Sequence, residues 1–275
     1  MHFRKKLKKV LRETGSNLIV GLDTDISGIP SSFQRYSNPQ LEFNRAVIEA
    51  TKMFVAGYKL NTAFYERYGV NGWKALTDTV KIIPEDLITI ADAKRGDLEN
   101  TAEQYAKAFF DFMNYDSITL SPYMGEDSVR PFLRRKNKFA WILLLTSNYG
   151  ARDFQFLNIQ KKPLWEHIAE KTVKWNDQKT GFVVGANHTK EIKYICGKYQ
   201  EQPLLIPGIG AQKNSLSELM KSLTHNLFLI NSSRSVLYPC SPKLPVDEYL
   251  SNVSSAAERL RDEINGFKNR KAKDD

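Results

Sequence analysis

Eight short, mostly apolar runs recur along the chain, at 18–23, 54–59, 88 onward, 117–121, 141–146, 181–185, 204–208 and 227–231. They carry little of the alternation expected of strands with one wet face. Near-continuous apolar runs are what parallel strands buried on both faces require. Between them the apolar positions shift to helical spacing, at 41–53, 70–80 and 165–175, with a closing helix over 246–264. At the start, Phe3, Leu7, Val10 and Leu11 form one helical face and Gly15 is a plausible stop; a short helix over one end of the domain is expected. In Asn100-Thr101-Ala-Glu103 a helix N-cap is expected, with Tyr105, Phe109 and Phe112 on one face. Strand and helix alternate throughout, no compositional shift marks a linker, and no repeat is evident. The expected fold is therefore an α/β (β/α)₈ TIM barrel with parallel strands, one domain over 1–275 with a basic N-terminal helix and a basic C-terminal tail.

The polar residues gather just after the apolar runs: Asp23, Lys59, Asp92, Lys94, Ser147, Gln212 and Arg234. In a barrel those positions converge on the mouth at the carboxyl ends of the strands, where such enzymes keep their sites. The densest group is Asp92-Ala-Lys94-Arg-Gly-Asp97, in which an ammonium has a carboxylate on each side in sequence. Positions two apart in a strand share a face, so Asp92 and Lys94 are expected to project together. A lysine held by two carboxylates stays protonated and serves as a proton donor. Spacing alone equally describes a solvated charge cluster closing a strand. Four ionisable groups (Asp23, Lys59, Asp92 and Lys94) at three adjacent strand ends are costly to crowd together without a function. The seventh and eighth runs lead into Pro207-Gly-Ile-Gly-Ala-Gln212 and Asn231-Ser-Ser233-Arg234, where barrels often bind phosphate. A Gly-x-Gly pair by itself is usually only a tight turn.

Composition narrows the classes. The chain has 275 residues, 41% hydrophobic and 26% charged, with a formal net charge of +9. Part of that charge lies in terminal runs, which are more often solvated faces than nucleic-acid sites, and no finger or aromatic-interleaved basic repeat supports nucleic-acid binding. Two cysteines imply no disulfide framework and favour a reducing compartment; no run is long enough to span a bilayer, so a cytoplasmic protein without membrane association is expected. The four histidines show no metal-ligand spacing and are read as structural or exposed. Tyr123, Met124 and the aromatics at 109–112 are read as core or interface.

Asp92-Ala-Lys94-Arg-Gly-Asp97, preceded by Gly21-Leu-Asp23 and Lys59, resembles the orotidine 5′-phosphate decarboxylases, in particular their longer bacterial-type branch. Ala63-Phe-Tyr-Glu, Pro122-Tyr-Met-Gly-Glu-Asp-Ser-Val, Leu145-Thr-Ser-Asn, Pro207-Gly-Ile-Gly-Ala-Gln and Asn231-Ser-Ser-Arg extend the likeness, in order, over nearly the whole chain. The resemblance implies decarboxylation of orotidine 5′-phosphate to UMP and CO₂, with no cofactor and no metal. It assigns Lys94 as the proton donor to C6, Asp92 beside the substrate carboxylate, and Lys59 orienting the charged network. Asp97 and Thr101 would reach into the neighbouring subunit's site, making the active unit a homodimer. Asp23 would hold a ribose hydroxyl and Ser147 would read the pyrimidine. Gln212 and Arg234 would bind phosphate, with Pro207 and Ser233 also in the substrate site. Leu60, Glu99, Tyr149, Asn187 and Ser235 depart from the residues usual at their positions, none of them at a catalytic group.

Two rivals stand beside this reading. Metal-dependent sugar-phosphate decarboxylases and aldolases on related barrels share the Asp-x-Lys-x-x-Asp pattern, but use a strand-two carboxylate to help hold Mg²⁺ where this chain has Lys59. A basic barrel that only binds phosphates or nucleic acid is the non-enzymatic alternative.

Overall fold

The computed structural model describes residues 2–176, 178–209, 213–225 and 227–274. Its eight long strands are β1 (Leu18–Gly21), β2 (Gly57–Asn61), β3 (Ile88–Arg95), β4 (Ser117–Leu120), β5 (Phe139–Leu145), β6 (Thr180–Val184), β7 (Leu204–Pro207) and β8 (Phe228–Ser232). They form a closed barrel in which each strand neighbours those before and after it in sequence, and β1 adjoins β8. The pairings are parallel, for example Gly21 opposite Lys59 and Asn61 opposite Asp92. Every residue of β1, β4, β6 and β8 is buried, which is the physical origin of their unalternating apolar runs.

The chain divides into two compact units, residues 1–8 with 93–230 and residues 9–92 with 231–275. In the first, the N-terminal helix residues rest on the starts of strands. Phe3 stacks on Phe139 with ring centres 4.4 Å apart and meets Trp141 edge-on at 6.1 Å. Arg4 donates to the Thr180 carbonyl and to Gln202, and Lys6 pairs with Asp116 at 2.7 Å. The connection after β5 contains a feature not expected from sequence, a hairpin pairing Asn158–Ile159 with Lys162–Pro163. Gln160 and Lys161 turn it, both with positive φ, as a two-residue hairpin needs.

The helix after β3 corrects two expectations. It begins at Glu99 rather than after Asn100, with Leu98 at the N-cap, and Asn100 accepts only from the adjacent Thr101 amide. From Lys107 to Phe112 it continues as a π-helix. The wider turn breaks the 3.6-residue period, so Phe109 and Phe110 are buried while Phe112 stands 74% exposed. Tyr123 and Met124 are also exposed and belong to no core.

In the second unit, Asn38 caps the helix Pro39–Thr51 by accepting from Leu41, with proline at the first helical position. Phe43 on that helix packs against Tyr249 and Tyr238. The second strand starts three residues later than the apolar run, because Phe54 closes a turn onto Thr51. Gly57 opens the strand where any Cβ would lie 2.0 Å from the Ile88 carbonyl oxygen.

Candidate active site

Asp23 follows β1, Lys59 is the third residue of β2, and Asp92 is the fifth of β3. Because these strands are sheet neighbours in parallel register, the three side chains are brought together. The Lys59 ammonium lies 2.8 Å from Asp92 Oδ2 and 3.4 Å from Asp23 Oδ1. Ser233, just beyond β8, donates to the other oxygen of Asp23 at 2.7 Å. Lys59 is 3% exposed. Burial by itself disfavours its charge, but the two carboxylates outweigh that effect and raise its pKa well above the usual lysine value. A charged ammonium thus holds two carboxylates in fixed orientation in a poorly solvated place.

The wall behind Asp23 is polar and hydrogen-bonded to an extent that sequence reading did not anticipate, although Gln40 Oε1 is buried without a partner among the described residues. Buried Thr24 donates to Asn44, and Asn44 donates to the Tyr65 hydroxyl and to Thr79. Tyr65 in turn donates to the Leu22 carbonyl, while Gln40 donates to the Thr24 and Phe64 carbonyls. The available signal was polar Asn44 on the buried face of an otherwise apolar helix stripe.

Lys94 lies near the end of β3 with φ of 48°, in the left-handed region. The strand runs on to Arg95, with Ala93 buried between the less buried Asp92 and Lys94, but the backbone at Lys94 itself leaves extended geometry. Left-handed backbone at a residue with a Cβ costs about 1–2 kcal/mol and is characteristic of functional positions. Lys94 is exposed, and its amide donates to the buried Thr119 hydroxyl at 2.9 Å. Arg95 next to it stacks its guanidinium over Tyr105 and Phe109, which anchors the strand end. Asp97 is partly buried and accepts from the Leu98 amide at 2.8 Å. Thr101, also partly buried, sits in the first turn of the helix Glu99–Ala106, and Glu99 pairs with Arg134 at 2.7 Å.

Ser147 is exposed in the loop after β5. That loop is pinned from below. Gln155 accepts from the Thr146 amide and donates to its hydroxyl, both at 2.8 Å, and His188 meets the Thr146 carbonyl at 2.9 Å. His188 also lines a cavity of about 760 Å³ with Ser147, Tyr149, Arg152, Asn187 and Glu191. Tyr149 and Asn187, two of the positions singled out in the sequence as unusual, thus line this cavity. Pro207 ends β7 half-buried, while Gln212 lies outside the described residues. Exposed Arg234 opens a short helix to Leu237, and Ser235 hydrogen-bonds Ser232 behind it. Among the described residues, no group of three or more His, Cys, Asp and Glu side chains is placed to hold a metal ion, and no helix is long and apolar enough to cross a membrane.

Residues 16–236 match the family model described as "Orotidine 5'-phosphate decarboxylase / HUMPS family". The chain is 44% identical over 278 residues to the orotidine 5′-phosphate decarboxylase of Dehalococcoides mccartyi strain CBDB1, covering 98% of this chain and 100% of that one. It is 45% identical over 240 residues to the Flavobacterium johnsoniae orotidine 5′-phosphate decarboxylase, covering 85% and 88%. Among solved structures, that of Leishmania donovani OMP decarboxylase superposes with a TM-score of 0.82 at 32% identity, covering 97% of this chain and 98% of that one.

Proposed function

The chain belongs to the orotidine 5′-phosphate decarboxylase / HUMPS family, and from that premise we propose that it converts orotidine 5′-phosphate to UMP and CO₂, with Lys94 as the proton donor. The observation that carries this reading is the buried Asp23–Lys59–Asp92 network on three neighbouring strands, with Lys94 two residues beyond Asp92 on the same strand. The chemical difficulty of the reaction is charge developing at C6 as the carbon–carbon bond breaks. A preorganised ammonium stabilises that charge and then delivers its proton. Asp92, held in place by Lys59, lies beside the departing carboxylate and favours its loss by repulsion. Asp23 holds a ribose hydroxyl and Ser147 reads the pyrimidine. Gln212 and Arg234 bind the phosphate, whose binding energy supports orientation at the distant carbon.

Lys59 also speaks against the metal-dependent rival. Its ammonium already neutralises the carboxylates on either side, so a cation placed there would meet a like charge at close range. Decarboxylation followed by ultraviolet absorbance in the presence of a chelator separates the two: undiminished turnover supports the present reading, and strict Mg²⁺ dependence overturns it.

The working form is a cytoplasmic homodimer of barrel domains in which Asp97 and Thr101 complete the partner's site. Mixing inactive Lys94→Ala and inactive Asp97→Ala subunits tests this, because one hybrid site retains both groups. Restored activity is the expected result, and none from a verified mixed dimer contradicts the shared site.

A further inference from the structure

We infer that Ser233 is a positioning residue that fixes the Asp23 carboxylate, and that Gly21 is kept without a side chain to leave room for it. This rests on the decarboxylase reading above and reassigns Ser233 from substrate contact to support of the charged network. Ser233 occupies the N-cap position of the short helix Arg234–Leu237, where a serine hydroxyl ordinarily accepts from the helix amides. Here it makes no such bond and instead donates to Asp23 Oδ2 at 2.7 Å. Oriented by that bond, Asp23 presents Oδ1 to Lys59 at 3.4 Å, while Lys59 keeps its shorter 2.8 Å bond to Asp92. Without the hydroxyl, the Asp23 carboxylate is free to turn both oxygens to the ammonium and draw it from Asp92. The approach is tight: a Cβ on Gly21 would lie 2.0 Å from Ser233 Oγ and 3.1 Å from Asn231 Oδ1. Asn231 is 5% exposed and donates weakly to the same hydroxyl at 3.5 Å, which backs Ser233 from the strand side.

The test compares kcat for orotidine 5′-phosphate with the inhibition constant of UMP in wild type, Ser233→Ala, Gly21→Ala and the double variant, with thermal unfolding as a check on folding. Ser233→Ala is expected to lower kcat about tenfold or more, the effect of one hydrogen bond to a charged group, with a smaller loss of UMP affinity through the ribose hydroxyl that Asp23 holds. Gly21→Ala forces the hydroxyl away from Asp23 and should reproduce that loss, and the double variant should be no worse than Ser233→Ala. Wild-type kcat in a folded Ser233→Ala overturns the inference. So does a loss of UMP affinity as large as the loss of kcat, which makes Ser233 a ligand contact. Multiplied losses in the double variant overturn the link to Gly21. Failure of the wild-type protein to turn over orotidine 5′-phosphate, by contrast, removes the decarboxylase reading itself.

Discussion

Lys59 and Lys198 are each held by two carboxylates, and they do different work. Lys59 lies 2.8 Å from Asp92 and 3.4 Å from Asp23 with its side chain 4% exposed. Lys198 lies 2.8 Å from Glu166 and 3.0 Å from Glu170 with its side chain 35% exposed, and Lys162 pairs with the same Glu170 at 2.7 Å. The distances alone would rank the second cluster higher. Solvent reverses the ranking. Around Lys198, the ammonium and the half-buried Glu170 carboxyl reach water although Glu166 is buried, and hydrogen bonds from Lys162 and Lys198 hold Glu170 low, at about 2, with little consequence for stability. Around Lys59 water is largely excluded, so removing one partner strands charges that cannot be resolvated. The buried cluster fixes geometry, whereas the exposed one fastens the 158–163 hairpin and two helices at low cost.

The largest effect expected is at Lys59. Lys59→Ala leaves Asp23 and Asp92 facing each other without a counter-charge and should destabilise the fold by about 3–5 kcal/mol, read from urea unfolding. Its pH dependence sharpens the contrast. Because the folded pKa of Lys59 lies above its ordinary 10.5, its contribution is complete below that value and is lost only as pH rises through the folded pKa. The stability gap between wild type and Lys59→Ala should therefore stay level from about pH 7 to 10 and narrow above it. A gap that closes near neutrality would contradict the assigned charge state.

A smaller effect of opposite sign is expected at Lys94, where the backbone is left-handed. Lys94→Gly should relieve the strain and raise stability by about 1 kcal/mol while abolishing turnover. Equal or lower stability would show that the strain is compensated locally. The smallest effect belongs to the exposed cluster: Lys198→Ala should cost less than about 1 kcal/mol, with the difference fading in 1 M salt as screening removes it.

The fold was legible because a parallel barrel imposes one requirement, burial on both strand faces, that each run satisfies locally. The charged residues of the site were legible because Asp23, Lys59 and Asp92 each close a run, so parallel register alone brings them together. What escaped the sequence was of two kinds. Phe112 points to solvent because a π-helix changes the helical period, and no pattern at 107–112 announces that extra residue per turn. The bond from Ser233 to Asp23 spans 210 positions, and the clamp of Gln155 and His188 on Thr146 is equally tertiary. The expectation at Asn100 failed, and the left-handed backbone at Lys94 went unforeseen, for a related reason: regular periods were extended into positions where the chain turns.

On the proposed reading Lys94 supplies the proton while Asp23, Lys59 and Asp92 hold the surrounding charge in place. The direct measurement is loss of orotidine 5′-phosphate by ultraviolet absorbance, with chelator present, for wild type and Lys94→Ala, alongside UMP binding to each. The expected result is chelator-insensitive turnover by wild type and a loss of at least about 10³-fold in Lys94→Ala, with UMP still bound. Turnover at the wild-type rate by Lys94→Ala would contradict the account.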